Sequence, residues 1–272
     1  VFEEVPFIAS ESIQPRMVIV TLSLPSVQLS IHMPGSIDER TARANIINLN
    51  YQGLIDDKAA KLMEHVQEWA DNREYRSVLG EYRGKRILAM STGIGAPSAG
   101  IGVEELHRVG VRKVIRVGSA GAMQKEIGFG ELIIAEGVVR DDGLSKKYVP
   151  DIYPAVPSYR LMALSHKYAP QAVYGIVRSH DGFYVDGNAE TEAFWSGKGI
   201  VADDMESGIL MVIGRQRGME TLSILNNVVL YQGDLADGVN SLVGGDELMA
   251  KGEEASLRLA LDILSDPEGD EK

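Results

Sequence analysis

The chain has 272 residues, 44% of them apolar, a net charge of -12 and no cysteine. That length suits one large α/β domain or two small ones with a substantial core, and the acidic balance argues against a general nucleic-acid binder, whose affinity needs clustered Lys and Arg. Lack of cysteine excludes disulfides and thiolate chemistry and fits a cytoplasmic protein, while no apolar run approaches the roughly 20 residues that span a bilayer.

In chain order, residues 1–31 form an N-terminal lead with Glu3 and Glu4 where a secretory signal would carry basic residues. Residues 17–24 and 27–32 read as strands broken at Pro25, and 56–69 as a helix with Ala60, Met63, Val66 and Trp69 near one face. Residues 77–82 and 86–90 read as a hairpin turning at Arg83-Gly84-Lys85. A helix at 97–109 and strands at 113–117 and 132–139 follow, then a helix at 159–168 and a strand at 173–177. A helix at 206–217, a strand at 221–229 and a helix at 246–264 close the pattern, with an acidic, frayed tail at 265–272. No repeat, linker or internal boundary interrupts this series, so residues 1–272 are read as a single α/β domain. Alternating strands and helices predict a mixed central sheet with helices on both faces, a three-layer α/β/α arrangement.

One stretch carries unusual chemistry. Val114-Ile115-Arg116-Val117-Gly118-Ser119-Ala120-Gly121-Ala122 begins as a buried strand and ends in small residues, at the strand end where parallel sheets hold ligands. Arg116 is the lone charge in the run. A buried guanidinium needs an anion, either an ordinary carboxylate partner or an oxyanion shared with the donor-rich turn that follows. Upstream, Ser91–Ser98 is a small-residue loop that opens a helix; downstream, Asp204-Met205-Glu206-Ser207-Gly208 opens another. Gly93-Ile94-Gly95 lacks the third glycine of a dinucleotide-binding fingerprint.

Together these three segments resemble the nucleoside phosphorylase-I family, which includes the uridine phosphorylases and the hexameric purine nucleoside phosphorylases, over about residues 33–243. The resemblance implies a pentosyltransferase: phosphate attacks the anomeric carbon of a nucleoside, leaving a (deoxy)ribose 1-phosphate and a free base. It implies phosphate ligands at Gly35, Arg40, Arg73, Arg116 and Ser119. Of these, Pro34-Gly35-Ser36-Ile37-Asp38-Glu39-Arg40 departs from the usual Pro-Gly-Asp-Pro-x-Arg, and Arg73, in Asn72-Arg73-Glu74-Tyr75, reaches a neighbour's phosphate across a dimer interface in relatives. Met205 and Glu206 fall on the Met-Glu pair that holds the ribose; an acid at a helix start also suits the helix dipole. Arg116 and Glu206 are the implied catalytic residues.

For the base, the resemblance implies Gly121, Phe183, Asn188, Val228 and Val229. Asp181-Gly182-Phe183-Tyr184 matches the segment whose aromatic ring stacks on the nucleobase, but Gly187-Asn188-Ala189-Glu190 stands where uridine phosphorylases carry Gly-Gln-x-Arg. Asn226-Asn227-Val228-Val229 has no carboxylate where purine enzymes place one. Uridine is therefore the expected substrate. A purine nucleoside phosphorylase or nucleosidase, and a catalytically impaired nucleoside-binding homologue, are the alternatives. The resemblance further implies no cofactor beyond inorganic phosphate as co-substrate, an interface cation at Glu74, Ile94 and Ser98, and a homodimer or a hexamer built as a trimer of dimers. His32, His65, His107, His166 and His180 carry no assigned role.

Overall fold

The computed structural model describes residues 17–21, 55–233 and 246–267, together with Gly238 and Ser241. Gly35 and Arg40, the strand expected at 27–32 and the end of the acidic tail lie outside the described residues. Among the described residues nine strands form one mixed sheet: β1 Met17–Thr21, β2 Glu64–Asn72, β3 Tyr75–Tyr82, β4 Lys85–Ser91, β5 Lys113–Ala122, β6 Leu132–Asp141, β7 Val173–His180, β8 Ala202–Asp204 and β9 Glu220–Val229. Seven helices are described: α1 Ile55–Ala60, α2 Gly95–Arg108, α3 Ser145–Tyr148, α4 Tyr159–Tyr168, α5 Asn188–Ser196, α6 Ser207–Gln216 and α7 Glu247–Ser265.

The alternation of strand side chains divides the core between the two sheet faces. Val78, Ile87, Ala89 and Ile115 pack with α1, α4 and α7 on one side. Their neighbours Leu79, Leu88, Met90 and Val114 pack with α2 and α6 on the other. Both faces are covered, as the sequence predicts. The helix α7 starts where expected because Asp246 caps it, its Oδ1 accepting the N–H groups of Leu248 at 3.0 Å and Met249 at 3.1 Å.

Strands run in the order β2-β3-β4-β1-β5-β8-β7-β6-β9, and β9 also pairs with β5. The last five strands therefore close into a ring. β5 makes this possible. Its first half lies between β1 and β9, both parallel to it. Its small-residue end stays beside β9, through a register shift between Ala120 and Gly121, and takes antiparallel β8 in place of β1 on its other side.

One expectation is corrected. The helix read at 56–69 is the short α1 followed by β2, an antiparallel edge strand on β3. The apolar spacing of Ala60, Met63, Val66 and Trp69 mimicked one helical face, but Met63 turns in against Gly80, whose added Cβ would lie 2.8 Å from the Met63 Cβ. His65 takes a positive φ of 52° just beyond it, and pairing with β3 then decides the conformation of the following residues. The short β8 and the helices α3 and α5 have no counterpart in the sequence pattern. The elements around the expected site keep their predicted identity, with strands running a few residues further.

Candidate active site

The site is built where β5, the α2 N-terminus and the α6 N-terminus meet. Arg116 is only 2% exposed. Its guanidinium lies over Gly118, where a Cβ would sit 2.8 Å from Cζ and both terminal nitrogens. Nη2 donates to Glu206 Oε2 at 2.6 Å and lies 3.3 Å from Asp204 Oδ2. Nε and Nη1 have no hydrogen-bond partner among the described residues. Both readings of Arg116 thus meet in one side chain: it pairs with carboxylates and retains two buried donors.

Glu206 occupies the N-cap position of α6, but its side chain does not cap that helix. Oε2 accepts from Arg116, and Oε1 accepts the N–H of Gly95 at the opening of α2. Burial pushes its carboxyl above the ordinary carboxylate range, against the pull of Arg116 and the Gly95 N–H; Asp204 pushes in the same direction as burial. The capping that Glu206 leaves undone falls to Asp204, whose Oδ2 accepts from Ser207 N at 3.0 Å and Ser207 Oγ at 2.6 Å. Asp204 Oδ1 accepts from Ser179 Oγ, which in turn accepts the Gly208 N–H at 2.9 Å. Ser207 and Ser223 share a hydroxyl contact at 2.6 Å. This buried network fixes the backbone that carries Met205 and Glu206. Serines scattered over three elements gave no sequence signal for it.

Ser119 and Gly121 are half-exposed, whereas Val117, Gly118, Ala120 and Ala122 beside them are buried. That places Ser119 three residues beyond Arg116, at the open end of the strand. Gly121 faces Val229, with 3.7 Å between an added Cβ and the Val229 Cβ. Val228 and Val229 are buried. Phe183 is half-buried, its ring edge-on to Tyr184 with centroids 4.9 Å apart. Asn188 begins α5 and donates to Glu192 Oε1 at 2.7 Å, so its N–H serves a turn of helix; Glu190 is exposed. His180, given no role from sequence, lies 3.2 Å from Asp203 through Nε2 and Oδ2.

Arg73 sits at the tip of the β2–β3 hairpin with a φ of 59°. Glu74 and Ser98 come together, Ser98 Oγ donating to Glu74 Oε1 at 2.9 Å, and Ile94 precedes α2 with 47% exposure. Among the described residues no group of three or more His, Cys, Asp or Glu side chains is placed to hold a metal. No helix among them is long and apolar enough to cross a membrane.

The sequence profile of the phosphorylase superfamily matches residues 51–260. A uridine phosphorylase from Vibrio fischeri ES114 superposes with a TM-score of 0.75 at 42% identity, covering 94% of each chain. A guanosine phosphorylase from Halorubrum lacusprofundi is 32% identical over 217 residues, which are 77% of this chain and 88% of that one. A uridine phosphorylase from Treponema pallidum is 36% identical over 184 residues, 62% of this chain and 71% of that one. The chain belongs to the phosphorylase superfamily, and its similarity to uridine phosphorylases extends over nearly its whole length.

Proposed function

We propose that this protein catalyses phosphorolysis of a nucleoside, with uridine as the substrate. The observation that carries the reading is the buried contact between Arg116 and Glu206, which joins an anion-binding cation to a ribose-binding carboxylate. Phosphate is held by the free donors of Arg116 with Ser119, and by Gly35 and Arg40. One phosphate oxygen attacks C1′, the C1′–N bond breaks, and its electron pair leaves with the base. Charge builds on the sugar as positive and on the base as negative, so a preorganised anion below the ring and a carboxylate on its hydroxyls both lower the barrier. Glu206 accepts hydrogen bonds from the 2′- and 3′-hydroxyls, and Met205 packs against the ribose. Phe183, Gly121, Val228 and Val229 enclose the base.

Uridine is favoured over a purine because Asn226–Val229 offers no carboxylate to protonate a purine N7. The only cofactor in this reading is phosphate itself, as co-substrate. The protein acts in the cytoplasm as a dimer, or a trimer of dimers, in which the partner subunit's Arg73 completes the phosphate site and Glu74, Ile94 and Ser98 hold an interface cation. The test is a base-release assay with and without phosphate over uridine, thymidine, inosine and adenosine. Phosphate-dependent release of uracil supports the reading. Release without phosphate means a nucleosidase, faster inosine cleavage a purine enzyme, and no turnover an impaired homologue.

A further inference from the structure

The side chains that relatives use to read the uracil edge are not reproduced at Asn188 and Glu190, yet a different polar group stands beside the expected base residues. β8 is inserted between β5 and β7, and its register aligns Asp203 with Gly121 on one side and Arg178 on the other. Aligned residues of paired strands share a face. An added Cβ on Gly121 would lie 2.8 Å from Asp203 Oδ1 and 3.7 Å from the Val229 Cβ, so the carboxylate borders the same space as two base-pocket residues. Asp204 and Ser179 bond to each other on the opposite face and belong to the Arg116–Glu206 network. The two neighbouring aspartates are thereby separated: Asp204 supports the sugar and phosphate end, and Asp203 lies at the base end.

We infer that Asp203 is the base-reading residue, its Oδ1 accepting the lactam N–H of the base while His180 positions the carboxylate through Oδ2. A carboxylate accepts and never donates. It therefore suits uracil, whose N3–H lies beside C4=O, and equally the N1–H and C6=O of a 6-oxopurine. It opposes cytosine and adenine, which present a bare ring nitrogen at that edge. A lone carboxylate would also repel the charge gathering on a departing base. Arg178 offsets this: it is 7% exposed, binds Asp141 Oδ2 through Nε at 2.9 Å and Nη2 at 2.7 Å, and its Nη1 has no partner among the described residues. Burial, and then Asp203 itself, also push the carboxyl of Glu192 upward.

This inference rests on the proposed phosphorolysis, so it is tested both with and without turnover. In phosphate, kcat/KM is measured for uridine against cytidine and for inosine against adenosine. Binding of free uracil and cytosine is measured by calorimetry. The wild type prefers uridine to cytidine and binds uracil over cytosine. Asp203→Asn lowers kcat/KM for uridine about 10- to 100-fold, the loss expected for one hydrogen bond to a charged group, mostly through KM, and narrows both preferences. His180→Gln keeps a donor to Asp203 and retains more of the preference than His180→Ala. Gly121→Ala, which forces the carboxylate aside, reproduces the Asp203→Asn pattern with Asp203 intact. A folded Asp203→Asn with unchanged uridine-to-cytidine and uracil-to-cytosine ratios overturns the inference. So does a wild type that fails to distinguish the two bases. If no nucleoside is cleaved but uracil binding still depends on Asp203, the catalytic reading fails and this one stands.

Discussion

Arg116 occupies the space that a side chain on residue 118 would need. The two residues are next-but-one on β5 and share a face, and an alanine Cβ at Gly118 would stand 2.8 Å from the guanidinium carbon. Gly118 is thus required for the position of the arginine rather than for backbone freedom. Gly118→Ala should leave the protein folded, displace the guanidinium and raise the phosphate KM about 10- to 100-fold, the scale of one charge-assisted hydrogen bond. Initial-rate kinetics with varied phosphate check this, and an unchanged KM would separate Arg116 from phosphate.

Arg116→Ala should act twice. It removes the donors proposed to hold phosphate, so the phosphate requirement should rise steeply. It also removes the cation that pulls the Glu206 carboxyl down against burial. Glu206 then ionises at higher pH, and because the proposed ribose contact needs the carboxylate, the acid limb of the kcat/KM profile should move to higher pH. A limb that stays in place would place Glu206 outside the rate-determining ionisation.

Glu206→Gln should split activity from stability. Loss of the carboxylate proposed to hold the ribose should cost about 10²- to 10³-fold in kcat/KM, as expected for a preorganised electrostatic contact. The folded-state pKa of Glu206 is raised, so between its unfolded value and that raised value the folded protein binds more protons than the unfolded one. Stability from this group is present at lower pH and lost as pH rises through the window. Urea unfolding across pH should show a weaker alkaline fall for the glutamine variant. An identical slope would contradict the assignment.

Ser207→Ala removes a hydroxyl that serves both Asp204 and Ser223 inside a fully buried network. The expected loss is about 1–3 kcal/mol, or a fall in Tm of several degrees on the roughly 2–4 °C per kcal/mol typical of large domains. Calorimetry measures it. Because the network holds the backbone of Glu206 and the Asp204 carboxylate beside Arg116, nucleoside KM and phosphate KM should both rise.

Glu190 provides the contrasting case. It is exposed in the first turn of α5, so Glu190→Ala should change kcat/KM for uridine by less than about 2-fold, within the small effects typical of surface substitutions. A large change would bring α5 into the base pocket and weaken the case for Asp203.

Local pattern was enough for β5, β9, α2 and α6 around the site, but not for β8, which carries Asp203 and Asp204. Arg116 declared itself as the single charge in an apolar strand, and Asp204-Met205-Glu206 as acids at a helix start, because burial makes an isolated charge costly and helix openings favour acids. Each of those signals is carried by a few consecutive residues of the chain. The apolar spacing before and within β2 fits a helix as well as a strand, and only pairing with β3 distinguishes the two.

What the sequence alone determined was the class of fold and the residues bearing charge or donors in unusual company. Tertiary structure decided which of them meet. Asp203 and Asp204 are adjacent in the chain and chemically alike, yet the pleat of a three-residue strand sends one toward Gly121 and His180 and the other toward Arg116 and Ser179. Their different surroundings come from pairing with strands about 80 residues before and 25 residues before them, a separation over which sequence pattern carries no register.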